Sequence, residues 1–320
     1  MVAHWLAELD GRRVTVDVPG SSANLGAGFD CLGVALALAN RVEVEVRGWS
    51  RGEIEMTIEG EGRDELKDDR DNRFVRGLEA ALGAARGELP EGVGWRIDMH
   101  NEIPLARGLG SSAAATVAGI VAANALLGGP LDTATQLRIA AGIEGHPDNA
   151  AAALLGGFVV TAATPDGIEA IRFDPPRDLR AVLFIPERRL STDAMRKTLP
   201  STVPFEDAVA NLGAVALGVA GMAAGRTDLL ARLTVDRLHE PYRAVAYPEL
   251  PRFVAAAREA GALGACLSGA GSTIIAFTDS VSTITRIEGA YGAVAADVDL
   301  DGRVLVVEPR SAGAKVVSAG

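Results

Sequence analysis

Apolar and polar side chains alternate in the first quarter of the chain. Arg13-Val14-Thr15-Val16-Asp17-Val18-Pro19, Arg41-Val42-Glu43-Val44-Glu45-Val46 and Glu53-Ile54-Glu55-Met56-Thr57-Ile58 each send every second residue to one face, the period of a half-buried strand. Trp95-Arg96-Ile97-Asp98-Met99-His100 repeats the pattern up to Ile103-Pro104. Between these runs, the charged stretch 60–73 reads as a solvated surface loop, followed by a helix over 74–85. Helices are expected at 111–127 and 131–143, then a strand at 156–161. Beyond about residue 165 the pattern starts afresh, with strands at 179–185, 273–277 and 304–307 and helices at 207–224, 248–259 and 282–291. Strands and helices mix without a regular βαβ rhythm, which predicts an α+β fold over a doubly wound parallel sheet. A chain of 320 residues is long for one domain. Two are expected, 1–165 and 166–320, divided at Thr164-Pro165-Asp166-Gly167.

Composition narrows the chemistry. With 48% hydrophobic and 23% charged residues the chain is an ordinary globular protein. Its 42 acidic and 31 basic side chains leave a net charge of −11, a field that repels polyanions. General binding of nucleic acid or of an anionic membrane is therefore not expected, and any phosphate must be held locally. Cys31 and Cys266 lie 235 residues apart with no zinc spacing and no disulfide framework, so both are expected reduced and buried. The start, Met1-Val2-Ala3-His4-Trp5-Leu6-Ala7-Glu8, lacks the basic region of a signal peptide, and a cytoplasmic location is expected. The stretches 113–129 and 208–224 are alanine- and glycine-rich and interrupted by Asn124 and Asn211. They are shorter than the ~20 apolar residues of a membrane span and read as tightly packed buried helices.

The densest chemical signal is Pro104-Leu105-Ala106-Arg107-Gly108-Leu109-Gly110-Ser111-Ser112-Ala113-Ala114-Ala115, a glycine turn between a strand and an alanine-rich helix. Glycine permits positive φ and close backbone approach, and a helix N-terminus offers free N–H groups with roughly +0.5 of a charge. An anion cradle fits this pattern, and an ordinary helix start after a turn fits it too. It is no Walker A loop, because the chain has only three lysines, Lys67, Lys197 and Lys315, none beside a glycine-rich turn. Nor is it a dinucleotide fingerprint, since serines stand where the third glycine belongs.

Residues 104–113 resemble throughout the phosphate loop of the GHMP small-molecule kinases, Pro-x-x-x-Gly-Leu-Gly-Ser-Ser-Ala. Two more family-like motifs follow the same order: Pro19-Gly20-Ser21-Ser22-Ala23-Asn24-Leu25-Gly26-Ala27-Gly28-Phe29-Asp30 and Leu267-Ser268-Gly269-Ala270-Gly271-Ser272-Thr273. The resemblance implies an N-terminal domain like the second domain of ribosomal protein S5, a ferredoxin-like C-terminal domain, and ATP and an acceptor bound between them. It places ATP on residues 104–114 with Asn72 beside the adenine, and Mg²⁺ on Ser112 and Glu144, although only Gly145 separates Glu144 from His146 where relatives often have more residues.

Glu144-Gly145-His146-Pro147-Asp148-Asn149, the run from Leu190 to Pro200, and His239-Glu240-Pro241-Tyr242-Arg243 resemble the members that act on L-homoserine. On that likeness Asp30 pairs with the ammonium, Arg196 and Arg243 clamp the carboxylate, Asn149 orients the hydroxyl, and Asn24, His146 and Thr192 complete a polar wall. Asn149, Ser112, Glu144 and Arg196 form the expected catalytic set, giving O-phospho-L-homoserine by direct in-line transfer. Asn149 stands where some relatives carry an aspartate base, so no obligatory protein base is expected, unless Asp148 points inward. A homodimer is also implied. Plainer roles fit several of these residues: Asp30 capping a helix at Cys31, Asn24 serving a turn, Asn149 or Asn72 capping a helix, Glu144 as a surface acid, and the arginines as surface charges. A different acceptor within the family, a nucleotide-binding sensor without turnover, and more remotely an NAD-dependent enzyme are the competing functions.

Overall fold

The computed structural model describes residues 5, 8–47, 52–87 and 93–320. Elements are numbered in chain order. The first sheet is built from β1 (Arg13–Ala23), β2 (Leu32–Arg47), β3 (Ile54–Gly60), β4 (Gly94–Asn101), β5 (Phe158–Thr164) and β6 (Gly167–Phe173). A seventh strand, β11 (Lys315–Ala319), returns from the far end of the chain to pair with β1. All pairings are antiparallel except β3 with β4. The alternation read from the sequence explains the layering: Val14, Val16, Val42 and Val44 are buried while Arg41 stays exposed. Against the apolar face lie α1 (Arg73–Arg86), α2 (Ser111–Leu126), α3 (Thr133–Glu144) and α4 (Asp148–Leu155). Burying a Leu or Val side chain contributes about 1.5–3 kcal/mol, so this interface dominates the stability of the first unit.

The second sheet has four antiparallel strands in the order β10-β7-β9-β8, formed by β7 (Arg180–Pro186), β8 (Gly264–Leu267), β9 (Ile274–Thr278) and β10 (Gly302–Val307). Between β7 and β8 the chain makes α5 (Thr192–Arg196), α6 (Phe205–Ala223), α7 (Leu230–Leu233), α8 (Glu240–Arg243) and α9 (Leu250–Glu259), and α10 (Val281–Asp297) joins β9 to β10. Phe184, Phe253 and Tyr291 form an aromatic cluster that seats α9 and α10 on this sheet.

Three expectations need correction. The domain break drawn at Thr164-Pro165-Asp166-Gly167 falls inside a hairpin, because β5 and β6 pair from Phe158↔Phe173 to Thr164↔Gly167; the chain enters the second sheet only at β7. No helix begins at Cys31: β1 and β2 are joined by a loop over 24–31, and β2 starts at Leu32. The 208–224 helix is not tightly buried. Only Asn211, Gly218, Gly221 and Met222 of α6 are buried, and Phe205, Val209, Leu212 and Leu217 face outward. By length and apolarity alone α6 is also sufficient to cross a membrane. Its inner face is tied to the protein through Asn211, which donates to the Ala27 carbonyl at 3.0 Å and to Asp236 at 2.8 Å. Cys31 is half-buried, Cys266 is buried and both are free.

Candidate active site

The phosphate loop hangs between the two units. After β4, the Asn40 side chain accepts the Glu102 and Ile103 N–H groups at 3.0 and 3.1 Å, and the chain turns through 104–110 into α2. Gly110 holds a left-handed conformation at φ 71°, and no side chain caps the helix. The first N–H groups of α2 thus lack intrahelical acceptors and open onto the cavity. A Cβ at Gly110 would stand 2.1 Å from Ser21 Oγ, so only glycine fits. At Gly108 (φ 72°) a Cβ would stand 2.0 Å from the Ser268 carbonyl.

That contact comes from the loop joining β8 to β9, which docks on the phosphate loop. Ser268 Oγ lies 2.7 Å from the Gly108 carbonyl and 2.8 Å from Ser22 Oγ. Having one proton, it donates to the carbonyl and accepts from Ser22. The Thr273 N–H donates to the Arg107 carbonyl at 3.1 Å. Arg107 turns its guanidinium onto the Pro186 and Glu187 carbonyls at 2.6 and 2.5 Å, bolting the loop to the end of β7.

Beside the helix start, Glu144 closes α3 with its carboxylate buried. Its Oε1 accepts from Ser112 Oγ at 3.1 Å and from Thr116 Oγ1 at 2.7 Å, and Arg73 Nη1 stands 3.7 Å away. The surface-acid reading of Glu144 is thereby excluded. Ser112 and Glu144 supply two adjacent hard oxygens, and no cluster of three or more His, Cys, Asp or Glu suited to a metal exists among the described residues. This donor set suits a cation such as Mg²⁺, which takes few protein oxygens and completes its shell with phosphate and water.

Opposite lies a charged pocket. Arg196, presented by α5, makes a bidentate pair with Asp30 at 2.9 and 2.6 Å. Asp30 sits at φ 55°, its N–H held by Asn24 Oδ1 at 3.1 Å, while Asn24 Nδ2 donates to the Gly269 carbonyl at 2.9 Å. Asn24 therefore shapes the loop, as its turn-forming reading allows. At the start of α4, the Asp148 carboxylate points into the cavity, and its Oδ1 meets His146 Nδ1 at 3.0 Å and accepts the Asn149 N–H at 2.6 Å. The bond to Asp148 raises the His146 pKa above its ordinary value. Asn149 is not a helix cap; Pro147 occupies that place, and the Asn149 Oδ1 accepts from Ser21 Oγ at 2.9 Å. Arg243 is 1% exposed yet lines the same cavity.

One cavity of about 220 Å³ thus brings together Asn24, Asp30, Glu144, His146, Asn149, Thr192, Arg196 and Arg243 with Pro104 and residues 106–113. Three expected residues fall outside it. Asn72 caps α1, accepting the Phe74 N–H at 2.9 Å and donating to the Lys67 carbonyl at 2.7 Å, so its amide is committed to the helix start rather than to adenine. Leu105 lines a neighbouring hollow with Pro186, and Ala114 is fully buried inside α2. Sequence reasoning assigned no role to Arg73 or Ser21. Ser21 lies in the 19–30 motif and Arg73 is the first helical residue after the Asn72 cap, which were the signals available.

The family models for the GHMP kinases N-terminal domain and GHMP kinases C-terminal match residues 72–157 and 219–295. A homoserine kinase of Moorella thermoacetica is 45% identical over 262 residues, 82% of this chain and 86% of that one. A homoserine kinase of Caldicellulosiruptor bescii is 41% identical over 308 residues, covering 95% and 97% of the two chains. The crystal structure of homoserine kinase from Cytophaga hutchinsonii superposes with a TM-score of 0.84 at 30% identity, covering 95% of this chain and 97% of that one. With an uncapped helix start facing a charged pocket, and with this similarity along nearly its whole length, the chain belongs to the GHMP kinase family.

Proposed function

We propose that this protein transfers the γ-phosphoryl group of ATP to the hydroxyl of L-homoserine, giving O-phospho-L-homoserine and ADP. The observation that carries the reading is the pairing of Asp30 with Arg196 within the cavity onto which the α2 N-terminus opens. An α-amino acid presents opposite charges of the same kind. Its ammonium replaces Arg196 as the partner of Asp30, and its carboxylate takes the guanidinium fork of Arg196, with Arg243 as a second cation. A neutral sugar offers neither charge, so nothing in it offsets the opening of the Asp30–Arg196 pair, which disfavours such acceptors.

The phosphates lie against the main-chain N–H groups of 108–113. Ser112 and Glu144 would hold Mg²⁺, whose charge offsets that developing on the transferred group. Asn149, fixed by Ser21, directs the acceptor hydroxyl, and the loose transition state asks more for positioning than for a base. Asp148 does point inward, but its Oδ1 is shared by His146 and the Asn149 backbone, which fits an orienting role. Asp148→Asn should therefore keep a measurable kcat with its pH profile intact. A fall of about a thousand-fold or more with loss of the pH dependence, the scale of a general base, would make Asp148 the base instead.

An ATP-dependent enzyme of this kind fits the cytoplasm. The outward stripe Phe205, Val209 and Leu212 on α6 supports a homodimer; a monomer mass at sedimentation equilibrium would remove that part. The activity itself is tested by ADP release with Mg-ATP across homoserine, mevalonate, galactose and shikimate. Turnover with homoserine alone is expected, and its absence would end the proposal.

A further inference from the structure

Behind the acceptor pocket lies a buried polar cluster, Asn211, Asp236 and His239, none of which lines the cavity. Asp236 organises the entry to α8: its two oxygens accept the N–H groups of Leu238, His239 and Glu240 at 3.1, 2.8 and 2.7 Å and the Asn211 amide at 2.8 Å. The His239 ring is wholly buried and tilted against Phe29, with ring centroids 5.2 Å apart and an interplanar angle of 34°. Its Nε2 lies 2.8 Å from the Gly26 carbonyl and its Nδ1 3.2 Å from Arg243 Nη1.

These partners fix the tautomer. A carbonyl only accepts and a guanidinium only donates, so Nε2 carries the proton and Nδ1 offers a lone pair. Burial lowers the His239 pKa to about 4 despite Asp236 Oδ2 at 3.7 Å from Nε2, so the ring is neutral at physiological pH. Arg243 Nη1 also donates to the Gly269 carbonyl at 2.8 Å, while its Nε is buried without a partner. The Phe29 ring lies 5.4 Å from both the Arg196 and the Arg243 guanidinium carbons. Gly26 belongs to the loop that presents Asp30.

We propose that His239 is a positioning residue for the acceptor amino acid: as the neutral Nε2–H tautomer it bridges the Asp30 loop to Arg243, setting the spacing between the ammonium and carboxylate subsites. The proposal rests on the homoserine reading above. It assigns His239 no contact with substrate; the ring acts through Arg243.

Two substitutions separate this role from mere filling of space. In His239→Asn the side-chain oxygen can stand near the Nδ1 position and still accept from Arg243, at the cost of a void and the Gly26 bond. In His239→Gln the longer amide fills more of the space and can still reach Gly26, but its nitrogen lies on the wrong side for Arg243. The expected result is a homoserine KM raised about 10- to 100-fold in His239→Gln, the worth of one hydrogen bond to a charged group, and a much smaller rise in His239→Asn. The ATP KM should stay near wild type in both, although Asn is the less stable variant. A better homoserine KM for Gln than for Asn, or homoserine and ATP KM rising together, would overturn the proposal.

A fold-independent readout is the imidazole ¹⁵N spectrum of the intact wild-type protein, which has four histidines. One ring should show the Nε2–H tautomer without titrating between pH 5.5 and 8.5, and its signal should be lost in both variants. A ring at position 239 that is protonated, or protonated on Nδ1, overturns the proposal. Absence of wild-type turnover with homoserine would instead refute the function on which it rests.

Discussion

The two halves of the cavity are made of different materials. The phosphate half is one continuous stretch, 104–113, that works through main-chain N–H groups, and its supports are the Ser22 and Ser268 hydroxyls, the Thr273 N–H and the Arg107 guanidinium, which turns onto the Pro186 and Glu187 carbonyls. The acceptor half is assembled from side chains on the 24–30 loop, the start of α4, α5 and α8, and it is backed by the ionisable side chains of Asp236, Glu240 and Arg243. The difference follows from the ligands. A polyanion approaching a chain of net charge −11 can be held by fixed dipoles that need no counter-charge of their own. A zwitterion needs opposite charges at a set distance, and such groups neutralise one another when the ligand is away, as Asp30 and Arg196 do. Phosphate binding therefore asks for a rigid backbone, and acceptor binding for an exchange of ion-pair partners.

The largest effect should come from breaking the rigid half. Gly108→Ala places a methyl group 2.0 Å from the Ser268 carbonyl at a φ of 72°, combining left-handed strain with a backbone clash. Strain of that kind costs about 1–3 kcal/mol and overpacking about as much again. The loop must move or the second sheet's loop must release it. The prediction is a fall in kcat/KM for ATP of about a hundred-fold or more, from a barrier increase near 3 kcal/mol, together with a lower melting temperature. A variant with wild-type ATP kinetics would show that the cradle does not depend on this backbone fit.

The same contrast explains what could be read in advance. The alternation of Val14, Val16, Val42 and Val44 and the glycine-serine run after Pro104 are local patterns, so β1, β4, α2 and the phosphate loop were legible without a fold. Three strands were overlooked: Gly264–Leu267 is four apolar residues, all buried, Lys315–Ala319 is an exposed edge, and Gly167–Phe173 follows directly on the expected domain break. Beyond Glu206 and Asp207, α6 is apolar all round but for Asn211, and burial depends on what packs against it; one face found the core and the other did not. Asn72 illustrates a competition between roles, because a helix start and a nucleotide pocket both favour asparagine, and only the Phe74 N–H decides between them. In the acceptor half no local rule joins Asp30 to Arg196 across 166 positions. Their placement in one acceptor pocket was reachable only through likeness to known kinases, and neither their pairing with each other nor the His239 bridge was read from the sequence.

A smaller and more selective effect is expected from Arg196→Ala. The Asp30–Arg196 pair is about one-third exposed on each side, so its loss should cost only about 1 kcal/mol of stability or less. Removal of a bidentate partner from a bound carboxylate costs about 2–5 kcal/mol. The homoserine KM should accordingly rise by about a hundred-fold while the melting temperature barely moves and the ATP KM changes little. Steady-state kinetics with each substrate varied in turn checks this. If the ATP KM rose in parallel, the two halves would not be separable.

The smallest effect is one of stability alone, and it probes the ionisable backing of the acceptor half. Glu240 turns its carboxyl group inward, where Oε1 accepts the Leu267 N–H at 2.7 Å. Burial, chiefly, raises its pKa from the ordinary 4.5 to about 8. The folded protein thus holds a proton that the unfolded chain releases between those values. The stability this proton contributes is complete below pH 4.5 and is lost as the pH climbs through 8, with a slope of at most about 1.4 kcal/mol per pH unit. Glu240→Gln keeps the acceptor for Leu267 and removes the titration. Its melting temperature relative to wild type should therefore increase steadily from pH 5 to pH 8.5, turning in favour of the variant toward the alkaline end. The buried His239, whose lowered pKa makes stability fall with pH below 6.5, is common to both proteins and cancels in the difference. Parallel melting curves across this range would mean that Glu240 is ionised in the fold, leaving the acceptor half supported by a paired carboxylate instead of a neutral acid.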